Sequence, residues 1–240
     1  MPPGETLVAL RGVTKEYHGL RPLRIQELDL HQGQSLALLG FDRATAEVLV
    51  NLVTDANLPD TGEVRVFGRP THEITNADEW VSTLDRFGLI SERAVLVDRF
   101  TVEQNLAMPL SLEIDDMSAV LRAQVRALAD EVSLPAEVLR TPTGSLSPAF
   151  ALRLRLGRAL ALGPRVLLAE HPNAAVGPDE APVFAADLAR IIEARGLGSL
   201  VLTADRTFAS AVADEVLTLE PATGALRAAS GWRRWFGNGT

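Results

Sequence analysis

Four short apolar runs, set apart by tracts of helix length, constrain this chain more than any other feature. They are QSLALLG (34–40), RVLLA (165–169), SLVLT (199–203) and EVLTLE (215–220). A continuous apolar run of strand length suits a strand covered on both faces. Between them lie helical patterns: Val48, Leu49, Leu52 and Val53 in 44–56, and a tract from Pro178 to about Arg195. Strand and helix in alternation predict a parallel sheet with helices on its faces. The start differs, because TLVALRGVTKEY (6–17) and LRIQELDL (23–30) alternate apolar and polar residues, as half-buried antiparallel strands do. PDTGEV (59–64) reads as a turn entering a short strand.

The middle reads as helical. Asn76 with Glu79, and Thr101 with Gln104, have capping-box spacing. Leu121, Val125, Leu128 and Val132 share one face of 118–132, and Ser147-Pro148 places a cap before a first-turn proline, opening a helix to about Leu162. There is no internal repeat or low-complexity linker, so any second unit is an insertion.

Composition narrows the chemistry. The chain of 240 residues has 31 acidic and 23 basic residues, a net charge of -8, which argues against nonspecific nucleic-acid binding. It lacks cysteine, and its histidines (His18, His31, His72, His171) are scattered without metal-ligand spacing. No leader pattern or membrane-length apolar stretch is visible, so a cytoplasmic location is expected.

One lysine, Lys15, stands among 22 arginines. That matters at 40–47, where an apolar strand turns into a helix, the setting of a phosphate-binding loop. The working pattern G-x-x-x-x-G-K-[ST] supplies backbone N–H groups, a lysine for the phosphates and a hydroxyl for magnesium. Here the eight residues are Gly40, Phe41, Asp42, Arg43, Ala44, Thr45, Ala46 and Glu47, and only the first glycine remains.

The rest of the chain supplies the register. Val13-Thr14-Lys15-Glu16-Tyr17, Gly33 to Gly40, Pro59-Asp60-Thr61-Gly62-Glu63-Val64 with Gly68, Thr101 to Leu106, Arg158-Ala159-Leu160-Ala161, Val166 to Ala169 and Ala213-Asp214-Glu215-Val216 follow one another in a familiar order. Together they resemble the nucleotide-binding domain of ATP-binding cassette (ABC) transporters over nearly the full length. The resemblance implies an α/β fold of the P-loop NTPase type. It implies a RecA-type core with an N-terminal antiparallel β portion (1–92 and 161–240) and a helical insertion (93–160). The stretch 101–110 looks like the branch serving lipid and lipoprotein export.

The departures fall on the family's chemistry. By the resemblance, Ala46 stands at the P-loop lysine, Glu47 at the magnesium hydroxyl and Glu92 at the Q-loop glutamine. Leu146-Ser147-Pro148-Ala149-Phe150 replaces the signature. Glu170 and His171 replace the acidic pair ending Walker B, Val176-Gly177 the D-loop, and Ala204 the switch histidine. Tyr17, Gly40, Arg43, Thr45 and Ser147 remain as vestigial cofactor-binding positions. The family's cofactors are ATP and magnesium. Here binding is expected to be weak or absent, with no metal site and no catalytic residue. Each acid within ~4 Å of a phosphate opposes binding by about 1 kcal/mol in water-like surroundings and about 4 kcal/mol at an effective dielectric of 20. Pro148 has no N–H to donate across a dimer, and Ala149 adds a side chain where backbone must approach closely.

Several residues keep two readings. Tyr17 is an adenine platform or a strand tyrosine packed on the core. Glu92 is a new groove contact or a solvated acid. His171 is a replacement base or a hydrogen-bonded histidine at a strand end. Arg43 folds inward to stand in for the lysine or points away. Leu106 to Leu112 reads as core. The tail Gly231-Trp232-Arg233-Arg234-Trp235-Phe236 is an interface or bilayer-surface anchor, or folds back on its own domain.

The leading expectation is a pseudo-ATPase: a non-catalytic subunit of an ABC transport complex on the inner face of the cell membrane. Its partners are transmembrane permease subunits and a second nucleotide-binding domain, in a homo- or heterodimer, with no nucleic acid. The alternatives are an active ATP-binding subunit that works through substituted residues, Arg43 and His171, and a soluble regulatory or scaffold protein on the same fold.

Overall fold

The first tract puts Leu7, Val8, Leu10 and Val13 inside on β1 (Thr6–Lys15), and Leu23, Ile25, Leu28 and Leu30 inside on β2 (Leu23–His31), with register shifts in the pairing of β1 breaking the expected alternation. A computed structural model describes residues 4–228. The two strands pair antiparallel, with Leu10 opposite Leu28 and Val13 opposite Ile25. The apolar run that follows is β3 (Ser35–Leu39), buried at every residue, and it feeds α1 (Arg43–Val53). The PDTG turn leads into β4 (Thr61–Val66) and the short β5 (Arg69–Pro70), and the antiparallel sheet has the order β2-β1-β4-β5.

The middle is less helical than its sequence suggests. Helix α2 (Ala77–Leu84) is capped by Asn76, whose side chain accepts from Asp78 N, while Glu79 turns to Arg69. Next comes β6 (Phe87–Ile90), a strand the sequence reading did not register. A Cβ on Gly88 would meet the Ala159 carbonyl at 2.4 Å, so glycine here lets a helix lie directly on the strand. Then follow α3 (Val102–Ala107), with the full Thr101–Gln104 capping box, α4 (Ala119–Glu131), and α5 (Pro148–Leu160), capped by Ser147 as expected. Leu106 and Ala107 are core, but Leu112 is fully exposed.

The last tract gives β7 (Val166–Glu170), α6 (Glu180–Arg195), β8 (Gly198–Leu202), α7 (Arg206–Val212), β9 (Glu215–Glu220) and β10 (Ala225–Ala228). Helix α6 starts two residues after Pro178, which sits in the preceding turn. The hairpin strand β10 lies beyond the expected end of the series. The second sheet runs β10-β9-β3-β8-β7-β6, parallel except for the β9–β10 pair. Successive residues of β3 face opposite cores. Leu36 and Leu38 pack with α1 and the antiparallel sheet, whereas Ala37 and Leu39 pack with α3 to α7.

One buried polar group fixes the loop after β6. The amide of Asn105, fully buried, accepts from Val97 N (3.0 Å) and donates to the carbonyls of Val97 (3.2 Å) and Thr101 (3.2 Å). Thr143 Oγ1 also donates to Val97 O at 2.8 Å. A buried amide satisfied in this way pins the segment on which it closes. Among the described residues, no helix is long and apolar enough to cross a membrane. The Trp- and Arg-rich tail lies outside the described residues.

Candidate functional site at the carboxyl ends of the central strands

Parallel strands aim their carboxyl ends at one edge of the sheet, where open α/β folds bind ligands. Here β3 delivers Gly40 to Asp42, β6 delivers Ser91 to Arg93, β7 delivers Glu170 and His171, and β8 delivers Thr203 and Ala204.

The β3 turn is built on Gly40. Its φ is +87°, and a Cβ there would meet the Leu219 carbonyl at 3.2 Å. Asp42 then caps α1. Its Oδ1 accepts from Thr45 N at 2.8 Å and from Thr45 Oγ1 at 2.7 Å. The first-turn N–H that an anion would seek is thereby taken by the chain's own carboxylate. The backbone N–H and the hydroxyl of Thr45, with the Ala44 N–H and the charge of His171, hold the Asp42 carboxyl below its ordinary range, so it is ionised at neutral pH. Ala46 is fully buried in the core behind the loop.

Beside this turn lies an outer cleft of 680 Å³, lined by Tyr17, His18, Gly40, Asp42, Ala44 and Thr45 among others. Tyr17 lies past the end of β1, packs partly on the core and lines the cleft. Burial, then the charge of Asp42, pushes its phenol above the ordinary value.

The inner end is different. A pocket of 150 Å³ is lined by Arg43, Glu47, Ser91, Glu92, Arg93, Glu170 and His171. Arg93 spans it. Its Nε donates to Glu170 Oε2 (3.2 Å) and its Nη2 pairs with Glu170 Oε1. Its Nη1 reaches Glu47 Oε1 (3.2 Å) and Asn51 Oδ1 (3.4 Å). Glu170 is 9% exposed and also accepts from Ser91 Oγ at 2.5 Å. Burial opposes the charge of Arg93, but its hydrogen bond to Glu170 and the charges of Glu170 and Glu47 outweigh that and raise its pKa. Arg43 lines this pocket with its Nη1 paired to Glu92 Oε2 at 3.1 Å, both side chains largely exposed.

His171 adopts a left-handed φ of +44°, held by its N–H on Leu202 O (2.8 Å), and its Nε2 is buried without a partner. Left-handed backbone costs a non-glycine residue about 1–2 kcal/mol. Ala204 is exposed past β8, where Thr203 Oγ1 donates to Asn173 Oδ1 at 3.0 Å and Asn173 Nδ2 donates to Asp205 Oδ2 at 3.2 Å. Ser147 is spent on capping α5 and lines neither cleft. The structure thus brings Glu47, Glu92, Glu170, His171 and Arg43 together and leaves Ser147 apart. Arg93, Ser91 and Asn51 were missed in the sequence. The available signal was charge: three acids at one strand edge call for cations, and Arg93 follows Glu92 directly.

A phosphate-type turn after the central strand of a parallel sheet, flanked by an antiparallel sheet, defines a class: the P-loop fold of ABC ATPases. The family model described as ABC transporter matches residues 23–174, and the chain belongs to this family. It is 30% identical over 207 residues to the lipoprotein-releasing system ATP-binding protein LolD of Myxococcus xanthus, covering 85% of this chain and 92% of that protein. It is 32% identical over 205 residues to the phosphonates import ATP-binding protein PhnC of Anaeromyxobacter dehalogenans, covering 81% of this chain but 40% of that protein. The dimeric structure of MJ0796, a bacterial ABC transporter cassette, superposes with a TM-score of 0.78 at 21% identity, over 94% of this chain and 100% of the other.

Proposed function

We propose that the chain is a pseudo-ATPase: an ATP-binding-type subunit of an ABC transport complex that neither holds magnesium–ATP tightly nor hydrolyses it. One observation carries the reading: Asp42 caps α1, and Arg93 lies between Glu47 and Glu170. On this reading these side chains compete for the groups that a triphosphate and its metal would need. The residues present do not fit the family's cofactor. No lysine is available at the loop, Ala46 faces the core, and Glu47, at the position of the metal's hydroxyl, is paired with Arg93. Phosphoryl transfer rests on positioning and on charge neutralisation, and the altered set at Glu92, Glu170, His171 and Ala204 supplies neither.

The subunit docks transmembrane permease partners at the inner membrane face through the helical insertion (93–160) and the loop after β6. It pairs with a second cassette, its own copy or another. The ABC family model and the relatives named as ATP-binding proteins of transport systems support this assignment.

Calorimetry and thermal shift with magnesium–ATP test it. A ligand at a hundredfold excess over its Kd adds about 2.7 kcal/mol of stability, and millimolar nucleotide is expected to add no measurable shift. Tight binding overturns the reading. The active-ATPase alternative is favoured by one observation, the unpartnered Nε2 of His171. Turnover that His171→Ala abolishes would establish it. A chain that brings no multispan protein from detergent extracts favours the scaffold alternative.

A further inference from the structure

The loop between β1 and β2, with the first residues of β2, forms one wall of the outer cleft. Two arginines, Arg21 and Arg24, line the cleft from this wall, and Asp42 lines it from the β3–α1 wall. Much of the remaining lining is apolar, including Leu20, Pro22 and Leu219. Leu20 is fully exposed. A Cβ on Gly19 would collide with the Tyr17 ring, so glycine here lets the loop lie directly against that ring. At 680 Å³ the cleft has the size that encloses a small organic molecule.

These two arginines lack counter-charges. Arg24 Nη1 reaches the Ala222 carbonyl at 3.4 Å, and among the described residues neither Arg21 nor Arg24 has an acidic partner. Arginines elsewhere on the same sheet are paired: Arg11 meets Asp29 at 2.6 Å, and Arg65 meets Glu63 at 2.6 Å. In a chain with 31 acids against 23 basic residues, two cations on one cleft wall without a carboxylate make a local positive field. The other wall has the opposite sign. Asp42 is ionised there, and its charge is felt by the Tyr17 phenol. The cleft is therefore polarised, negative at the α1 end and positive on the β1–β2 side. A ligand that turned its anionic group toward α1 would meet a carboxylate. One that turned it toward the arginines would meet guanidinium groups, which bind carboxylates and phosphates through paired N–H donors. Its body would then lie on the apolar part of the lining.

We propose that the outer cleft binds a small organic monoanion with an apolar body, its anionic group on Arg21 and Arg24 and its body against Tyr17, Leu20 and Leu219. The proposal rests on the pseudo-ATPase reading above, because it needs the α1 end to be closed to magnesium–ATP. It adds the chemistry of what the remaining space takes: one negative charge, carried on the side away from the helix N-terminus.

The test uses the full chain and anilinonaphthalene sulfonate, an aromatic monoanion whose fluorescence rises in apolar surroundings. The folded chain is expected to bind it. Replacing both arginines, Arg21→Ala with Arg24→Ala, should weaken binding at least about tenfold. The melting temperature should stay the same, because both side chains are exposed. Leu20→Ser, at a fully exposed position, should weaken binding about threefold. A second measurement needs no variant: naphthoate should displace the probe, and naphthylmethylammonium, with the same body and the opposite charge, should not. Absence of probe binding, equal displacement by the two competitors, or unchanged affinity in the folded double variant overturns the proposal while leaving the pseudo-ATPase reading intact. Displacement of the probe by micromolar magnesium–ATP overturns both.

Discussion

The two ends of the cleft at the strand edge teach different things. The outer end keeps the form of a nucleotide site: a glycine turn, a helix N-terminus, an aromatic ring and 680 Å³ of open space. Asp42 places a negative charge at that helix N-terminus. The inner end is built differently. Arg93, Glu47, Glu170 and Ser91 make an internal ion cluster in which each group answers another. A cleft can keep its outline because the turn and helix are also structural. At the inner end the side chains bond to one another across the sheet edge.

The largest test of this contrast is Arg93→Ala. It leaves Glu170, 9% exposed, without its cation. Losing a partner from a buried pair costs 3–5 kcal/mol, and with Arg93 39% exposed a loss of about 2–3 kcal/mol is expected in chemical denaturation. Adding Glu170→Gln should restore part of it, and strict additivity of the two changes would dissolve the cluster as a unit. Next is Gly40→Ala, where a left-handed φ and the nearby Leu219 carbonyl predict a loss of about 1–2 kcal/mol by the same measurement.

A smaller effect separates the ends by pH. Asp42→Ala removes the α1 cap and should cost about 1 kcal/mol at pH 7. The Asp42 pKa is lowered in the folded chain, so its contribution is complete above the unfolded value of about 3.9 and is lost as pH falls through the lower, folded one. The gap between parent and variant should be flat above about pH 5 and shrink below about pH 4. A gap that closes on the alkaline side would refute the assignment. Smallest is Tyr17→Phe, expected to change stability by less than about 0.5 kcal/mol, as for a surface position. In the parent, the Tyr17 phenol should titrate above the ordinary tyrosine value in ultraviolet absorbance, and Asp42→Ala should draw it back toward that value.

The fold was legible where burial wrote itself into neighbouring residues. The runs at 35–39, 166–170 and 198–202 are buried at every position, and Thr101–Gln104 and Ser147-Pro148 are local signals that hold locally. β6 escaped because Gly88, needed for the approach of α5, breaks the pattern of a strand. β10 escaped because it is a short, partly exposed hairpin edge. In the candidate site, the turn at Gly40 and the strand ends at Glu170 and Ala204 were visible from order alone. Arg93 was not, because its partners lie 46 and 77 residues away in the chain, and only the sheet brings them together.

The buried amide of Asn105 has a consequence for how the molecule moves. The tract from Ser91 to Val97 is fastened at both ends, by Glu170 at one and by Asn105 at the other. A hinge needs a few residues whose torsions are at liberty, and this span has been stitched down like a hem. Displacing either end of the span from its neighbour would break these hydrogen bonds.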